Sequence, residues 1–155
     1  MPEFSIAVDD PRSADIRALL GAHHAFAHDH SPPEDVHALD VDGLVDPTIT
    51  FVSCRMGGQL LGVGALKELE EGHAELKSMH TAVAARGRGV ARAILDHLIE
   101  RARDNRITRL SLETGSMDAF APARALYERA GFESCGPFGD YLASPYSTFM
   151  TRRLA

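Results

Sequence analysis

One stretch limits the fold more than any other: Glu75-Leu76-Lys77-Ser78-Met79-His80-Thr81, then Arg86-Gly87-Arg88-Gly89-Val90-Ala91, then Ala93-Ile94-Leu95-Asp96-His97-Leu98. It reads as a strand, a glycine-bearing turn and the opening of an amphipathic helix. Such a turn aims free backbone N–H groups and the positive end of a helix dipole at one point, an arrangement that suits a phosphate. Two familiar readings fail. A Walker A loop needs Gly-Lys-Ser/Thr, and none follows Gly89. A dinucleotide fingerprint needs a third glycine where Arg92 stands, and an acidic residue further along a βαβ unit.

The pattern that does fit is Arg/Gln-x-x-Gly-x-Gly/Ala, met by Arg86, Gly89 and Ala91. Forty residues on, Ala123-Arg124-Ala125-Leu126-Tyr127-Glu128-Arg129-Ala130-Gly131-Phe132 supplies a helix ending in Leu-Tyr, a short spacer and Gly-Phe. With these two motifs in this order, the chain resembles the GNAT acetyltransferases. The resemblance spans about the whole chain, the first half matching only in the order of its elements. It implies a mixed α/β fold: a central, mostly antiparallel sheet of six to seven strands, splayed near the fourth and fifth, with about four flanking helices.

The elements agree with that expectation. Phe4 to Val8 alternates as a strand, and Ser13 can cap a helix through Ile16, Leu19, Leu20 and Phe26. His28 to Asp46 is polar with Pro32-Pro33, and reads as a mobile loop with a short helix around Asp35 to Leu39. Thr48 to Arg55 and Gln59 to Leu69 form a hairpin about Gly57-Gly58, and His73 to Thr81 is the next strand. The helix after Gly89 carries Val90, Ile94, Leu98 and Ala91, Leu95, Ala102 on adjoining rows. Ile107 to Leu112 is a strand, Asp118 can cap the following helix, and residues 132–137 and 147–153 are the last strands.

The 155 residues suffice for one domain, 1–155, with the acceptor side in 1–80 and the cofactor side in 81–155. With no apolar run near 18 residues and no basic-then-apolar leader, a soluble, cytoplasmic protein without membrane partners is expected. Cys54 and Cys135 lack metal-ligand spacing and read as reduced core thiols. Charge is uneven: residues 1–80 carry 14 acids against 5 Lys/Arg, residues 81–155 carry 8 against 11. The cationic half suits a polyanion such as coenzyme A. The absence of a basic stripe with interleaved aromatics argues against nucleic acid.

Chemistry is assigned by resemblance. Acetyl-CoA is the implied co-substrate, gripped by Arg86, Gly87, Arg88, Gly89, Val90 and Ala91 and by the main chain at Met79 and Thr81. The Met79 side chain itself reads as core. Tyr127 matches the family tyrosine that protonates the departing thiolate, an exchange reasonable between a phenol near pKa 10 and a thiol near 8.5. Family members often carry asparagine seven residues earlier, where Phe120 stands here. By period two, His73, Glu75, Lys77, Met79 and Thr81 share one face. His73 and Glu75 are candidate bases; a Glu75–Lys77 ion pair is the competing reading of Glu75. Lys77, His37 and Glu113 are candidate acceptor contacts, and Glu113 is also a third candidate base or an orienting group. His23, His24, His28 and His30 invite a zinc hypothesis, but no glutamate sits between them as in a zincin, and no metal is expected. The implied reaction is direct acetyl transfer to a primary amine of a small molecule, and the rival reading is a non-catalytic acyl-CoA sensor. Related chains often pair, so a homodimer is one implied state.

Overall fold

The computed structural model describes residues 4–35 and 39–154. Seven strands form one sheet: β1 (Ser5–Val8), β2 (Ile49–Met56), β3 (Gln59–Glu70), β4 (His73–Thr81), β5 (Arg109–Gly115), β6 (Glu133–Cys135) and β7 (Ser147–Arg153), ordered β1-β2-β3-β4-β5-β7-β6. Only β4 and β5 run parallel, because the helix α3 (Val90–Asp104) crosses between them. The helices α1 (Ala14–His30), α2 (Val41–Leu44) and α4 (Ala121–Arg129) complete the set of four among the described residues. The mixed fold expected from sequence is the fold observed.

Each face of the sheet has its own core. On one, Ile16 and Leu20 of α1 and Leu44 of α2 bury against Phe51, Val63 and Ala65. On the other, Val90, Ile94, Leu95 and Leu98 of α3 and Tyr127 of α4 meet Val52, Leu61, Leu66, Ala74, Leu76, Leu110 and Leu112. Close docking of α3 depends on glycines in β3. A Cβ on Gly62 would lie 2.9 Å from Val90, and one on Gly64 would lie 2.7 Å from Ile94 and from Met79. That contact fixes the start of α3 over β3.

Several boundaries differ from expectation. Helix α1 continues through the expected loop to His30, since Phe26 and His30 find ring partners at Phe120. Ser13 stands at its N-cap without a side-chain hydrogen bond. Of the short helix expected around Asp35 to Leu39, residues 36–38 lie outside the described set. The turn at Pro33–Asp35 is 3-10, and α2 begins later, where Asp40 accepts from the Gly43 N–H. Asp118 opens a 3-10 turn and does not cap α4. Strand β5 starts two residues late and runs on to Gly115, and β6 is three residues long.

The five β4 residues expected on one face are divided between the two faces of the sheet. Ser78 takes φ of 57°, and the register with β3 steps from Ala65↔Lys77 to Val63↔His80. This bulge adds a residue and reverses the alternation. His73, Glu75, Lys77 and His80 therefore face α1, while Met79 and Thr81 turn toward α3.

Candidate active site

Strands β4 and β5 pair only from His73–Leu76 to Arg109–Leu112. Beyond this, β4 follows β3 as far as Thr81 and β5 follows β7 as far as Gly115, so the two diverge. The wedge between them is a cavity of about 680 Å³. Its walls come from β4 (Glu75 to Thr81), β5 (Leu112 to Gly115), the α3 turn, Phe120, Tyr127 and, from α1, His23 and Phe26.

The turn is built for close approach. Gly87 and Gly89 hold φ of 75° and 81°, which glycine adopts without the cost of a side chain. No atom lies within 4 Å of a Cβ placed on either. Gly89 is the N-cap of α3 and offers no side chain to its free N–H groups. Arg86, Gly87, Gly89, Val90 and Ala91 line the cavity, as do Arg92 and Arg129, which the motif reading missed. Arg88 does not line it; its guanidinium reaches Met56 Sδ at 3.5 Å. Open glycines, an uncapped helix start and cationic side chains together fit the diphosphate of coenzyme A. Met79 and Thr81 line the same wedge, and the Met79 side chain packs against the α3 core.

Tyr127 lines the cavity while only 6% exposed, and burial raises its phenol above the usual value. Glu75 is 3% exposed. Its Oε2 accepts from Lys77 Nζ at 3.2 Å and from the Tyr141 hydroxyl, while Lys77 Nζ also donates to Tyr141 Oη at 2.8 Å. The ion pair is therefore formed, buried, and joined by a tyrosine from the β6–β7 connection that the motifs did not signal. Burial, Glu75 and Glu113 all raise the Tyr141 phenol, keeping it a donor. Glu113 lines the cavity.

His73 does not line it: Nε2 lies 2.8 Å from Ser111 Oγ, which in turn meets Thr151 Oγ1 at 2.9 Å. His37 lies outside the described residues. The remaining histidines disperse. His24 Nε2 meets the Leu39 carbonyl at 2.8 Å, and His23 pairs with His80. Among the described residues, no group of three or more His, Cys, Asp or Glu could hold a metal ion.

The model of the acetyltransferase (GNAT) family matches residues 14–132. The chain belongs to the GNAT family. It is an acetyl-CoA-dependent N-acetyltransferase. It is 47% identical over 149 residues to YsnE of Bacillus subtilis (strain 168), an uncharacterized N-acetyltransferase, covering 96% of this chain and 99% of that one. It is 35% identical to an IAA acetyltransferase of Azospirillum brasilense, covering 99% and 100%. A solved acyl-CoA N-acyltransferase from Klebsiella pneumoniae superposes with a TM-score of 0.82 at 28% identity, covering 98% of each chain.

In place of the frequent family asparagine, the Phe120 ring lies over Gly115, where an added Cβ would sit 2.2 Å from a ring carbon. The ring also meets Phe26 edge-on, with centroids 5.3 Å apart. Gly115→Ala is expected to lower stability by about 2 kcal/mol by displacing that ring, checked by urea unfolding. Burial first, then His80, His24 and Lys77, push the His23 imidazole down to about 4 from an ordinary 6.5. The folded state therefore keeps His23 neutral while the unfolded chain protonates it. Stability is full above pH 6.5 and falls by about 3 kcal/mol as pH drops toward 4. Unfolding midpoints at pH 7, 5.5 and 4 test this, with His23→Gln expected to lose the His23 share of the dependence, while His80 and His97, whose imidazoles burial also lowers, keep theirs.

Proposed function

We propose that this acetyltransferase moves acetyl directly from acetyl-CoA to a primary amine of a small molecule. The observation that carries the reading is the single wedge between β4 and β5, walled at once by the glycine turn, Tyr127 and Glu75. Acetyl-CoA supplies the activated thioester, with Arg86, Gly87, Gly89, Val90 and Ala91 around its diphosphate and the Met79 and Thr81 main chain beside its pantetheine arm. Backbone N–H groups of β4 stabilise the oxyanion, a contribution of about 3 kcal/mol per donor. Tyr127 protonates the departing thiolate. Glu75 faces the incoming ammonium and is the first candidate base; His73 is held at Ser111 instead.

Phe26, Phe120 and His23 close the acceptor end, which favours a compact amine over an extended chain. A sensor reading would need only the cradle. The buried acid and carboxylate beside it favour catalysis.

The test is thiol release from acetyl-CoA with 2-phenylethylamine, phenylalanine, spermidine and, after the Azospirillum relative, IAA. Acceleration by an amine supports the reading. Tight acetyl-CoA binding with no acceleration by any member would turn it toward the sensor.

A further inference from the structure

The bulge at Ser78 gives the acceptor end two histidines that no motif accounts for. By carrying the alternation over one residue, it turns His80 to the α1 side, beside Lys77, where His23 of α1 meets it. Their Nδ1 atoms lie 3.2 Å apart, and both residues line the cavity. Neither Nε2 has a hydrogen-bond partner among the described residues.

An Nδ1···Nδ1 hydrogen bond needs one nitrogen protonated and the other bare. The two neutral rings therefore always present one bare Nε2 and one Nε2–H, in either tautomeric arrangement. Glu75 is placed differently: its Oε2 already accepts from Lys77 and Tyr141.

We propose that His80 and His23 form a proton relay that removes the proton of the acceptor ammonium, with Glu75 holding that ammonium by charge. This rests on the acetyl-transfer reading and refines its base. His80, next to the main-chain groups proposed to hold the thioester arm, takes the proton from the ammonium on its bare Nε2. Its Nδ1–H passes to His23 Nδ1, and the His23 Nε2–H leaves to water. The freed amine attacks the thioester carbonyl, the C–S bond breaks, and the amine's second proton ends on the thiol. Exchange with water restores the starting tautomer. Burial first, and charge after it, favours the neutral pair: His23 sees His80 and Lys77 from β4 and His24 on its own helix, and His80 sees Arg86 of the turn. Glu75 and Glu113 line the same cavity with Lys77, and two carboxylates against the one ammonium of Lys77 leave a negative balance that attracts the cationic acceptor.

The experiment is the pH profile of kcat/KM with the best amine of the panel, alongside acetyl-CoA affinity by calorimetry. With the relay, the ammonium form is a substrate, and the wild-type profile is flat above about pH 6.5. His80→Gln is expected to lose about 100-fold at that pH and to climb about tenfold per pH unit toward the amine's own pKa, with acetyl-CoA affinity unchanged. His23→Asn changes the profile in the same direction and guards against a local effect at β4. Added imidazole is expected to restore part of the rate in His80→Ala. Glu75→Gln is expected to raise KM for the amine and keep the profile flat. A flat profile in His80→Gln, or a climbing one in Glu75→Gln, overturns the relay while leaving acetyl transfer intact. Wild-type protein that binds no acetyl-CoA overturns the transfer reading itself.

Discussion

The double substitution Arg86→Ala/Gly89→Asp is expected to weaken acetyl-CoA binding by at least about 100-fold, a loss near 3 kcal/mol, while the protein stays folded. Two terms act in the same direction on binding. Removing Arg86 deletes a charge-assisted contact of about 1.5–3 kcal/mol. The new carboxylate then stands at the α3 N-terminus, where the diphosphate is proposed to lie. The fold feels much less. Nothing lies within 4 Å of a Cβ at position 89, so the aspartate has room. Its φ of 81° costs about 1 kcal/mol, and aspartate is among the side chains that tolerate this region. As an N-cap it returns a similar amount through the free N–H groups of α3. Calorimetry with acetyl-CoA, beside thermal unfolding, separates the two. A well-folded double variant with wild-type affinity would remove the turn from the site.

Tyr127→Phe is expected to lower kcat about 10²- to 10³-fold, or about 3–4 kcal/mol of barrier, with acetyl-CoA affinity little changed. The ring stays because its surroundings are apolar: Tyr127 packs edge-on to Phe132 with centroids 5.9 Å apart and belongs to the α3-side core. Its hydroxyl has no hydrogen-bond partner among the described residues, so deleting it costs little stability. What is lost is the proposed proton donor at the wedge. Because burial raises the phenol above its usual 10, Tyr127 stays protonated through the working range and adds no basic limb to kcat below pH 10. Steady-state rates with pre-steady-state thiol release check this. An unchanged turnover would assign the leaving-group proton elsewhere.

Much of this enzyme was legible along the chain because its signals are local. Gly87 and Gly89 before an apolar helical row specify a turn and a helix start through φ preference and periodicity alone. Leu126-Tyr127 and Gly131 mark the end of α4 in the same way, Gly131 taking φ of 92° after the helix. Alternation and turn residues likewise gave the β2–β3 hairpin and the order of the strands.

The proposed acceptor end was decided only in three dimensions. One bulged residue, Ser78, undid a period-two argument and exchanged Met79 for His80 on the α1 face. Tyr141 stands 66 positions from Glu75, and His23 stands 57 from His80, separations at which no local preference operates. These partners meet because α1 and the β6–β7 connection pack against the same face of β4. The sequence by itself determined the strand, turn and helix that carry the proposed cofactor cradle, since each is encoded within a few neighbouring residues. Tertiary packing alone chose the side chains that line the wedge opposite that cradle, since long-range burial sets where the strands part and which residues line the gap.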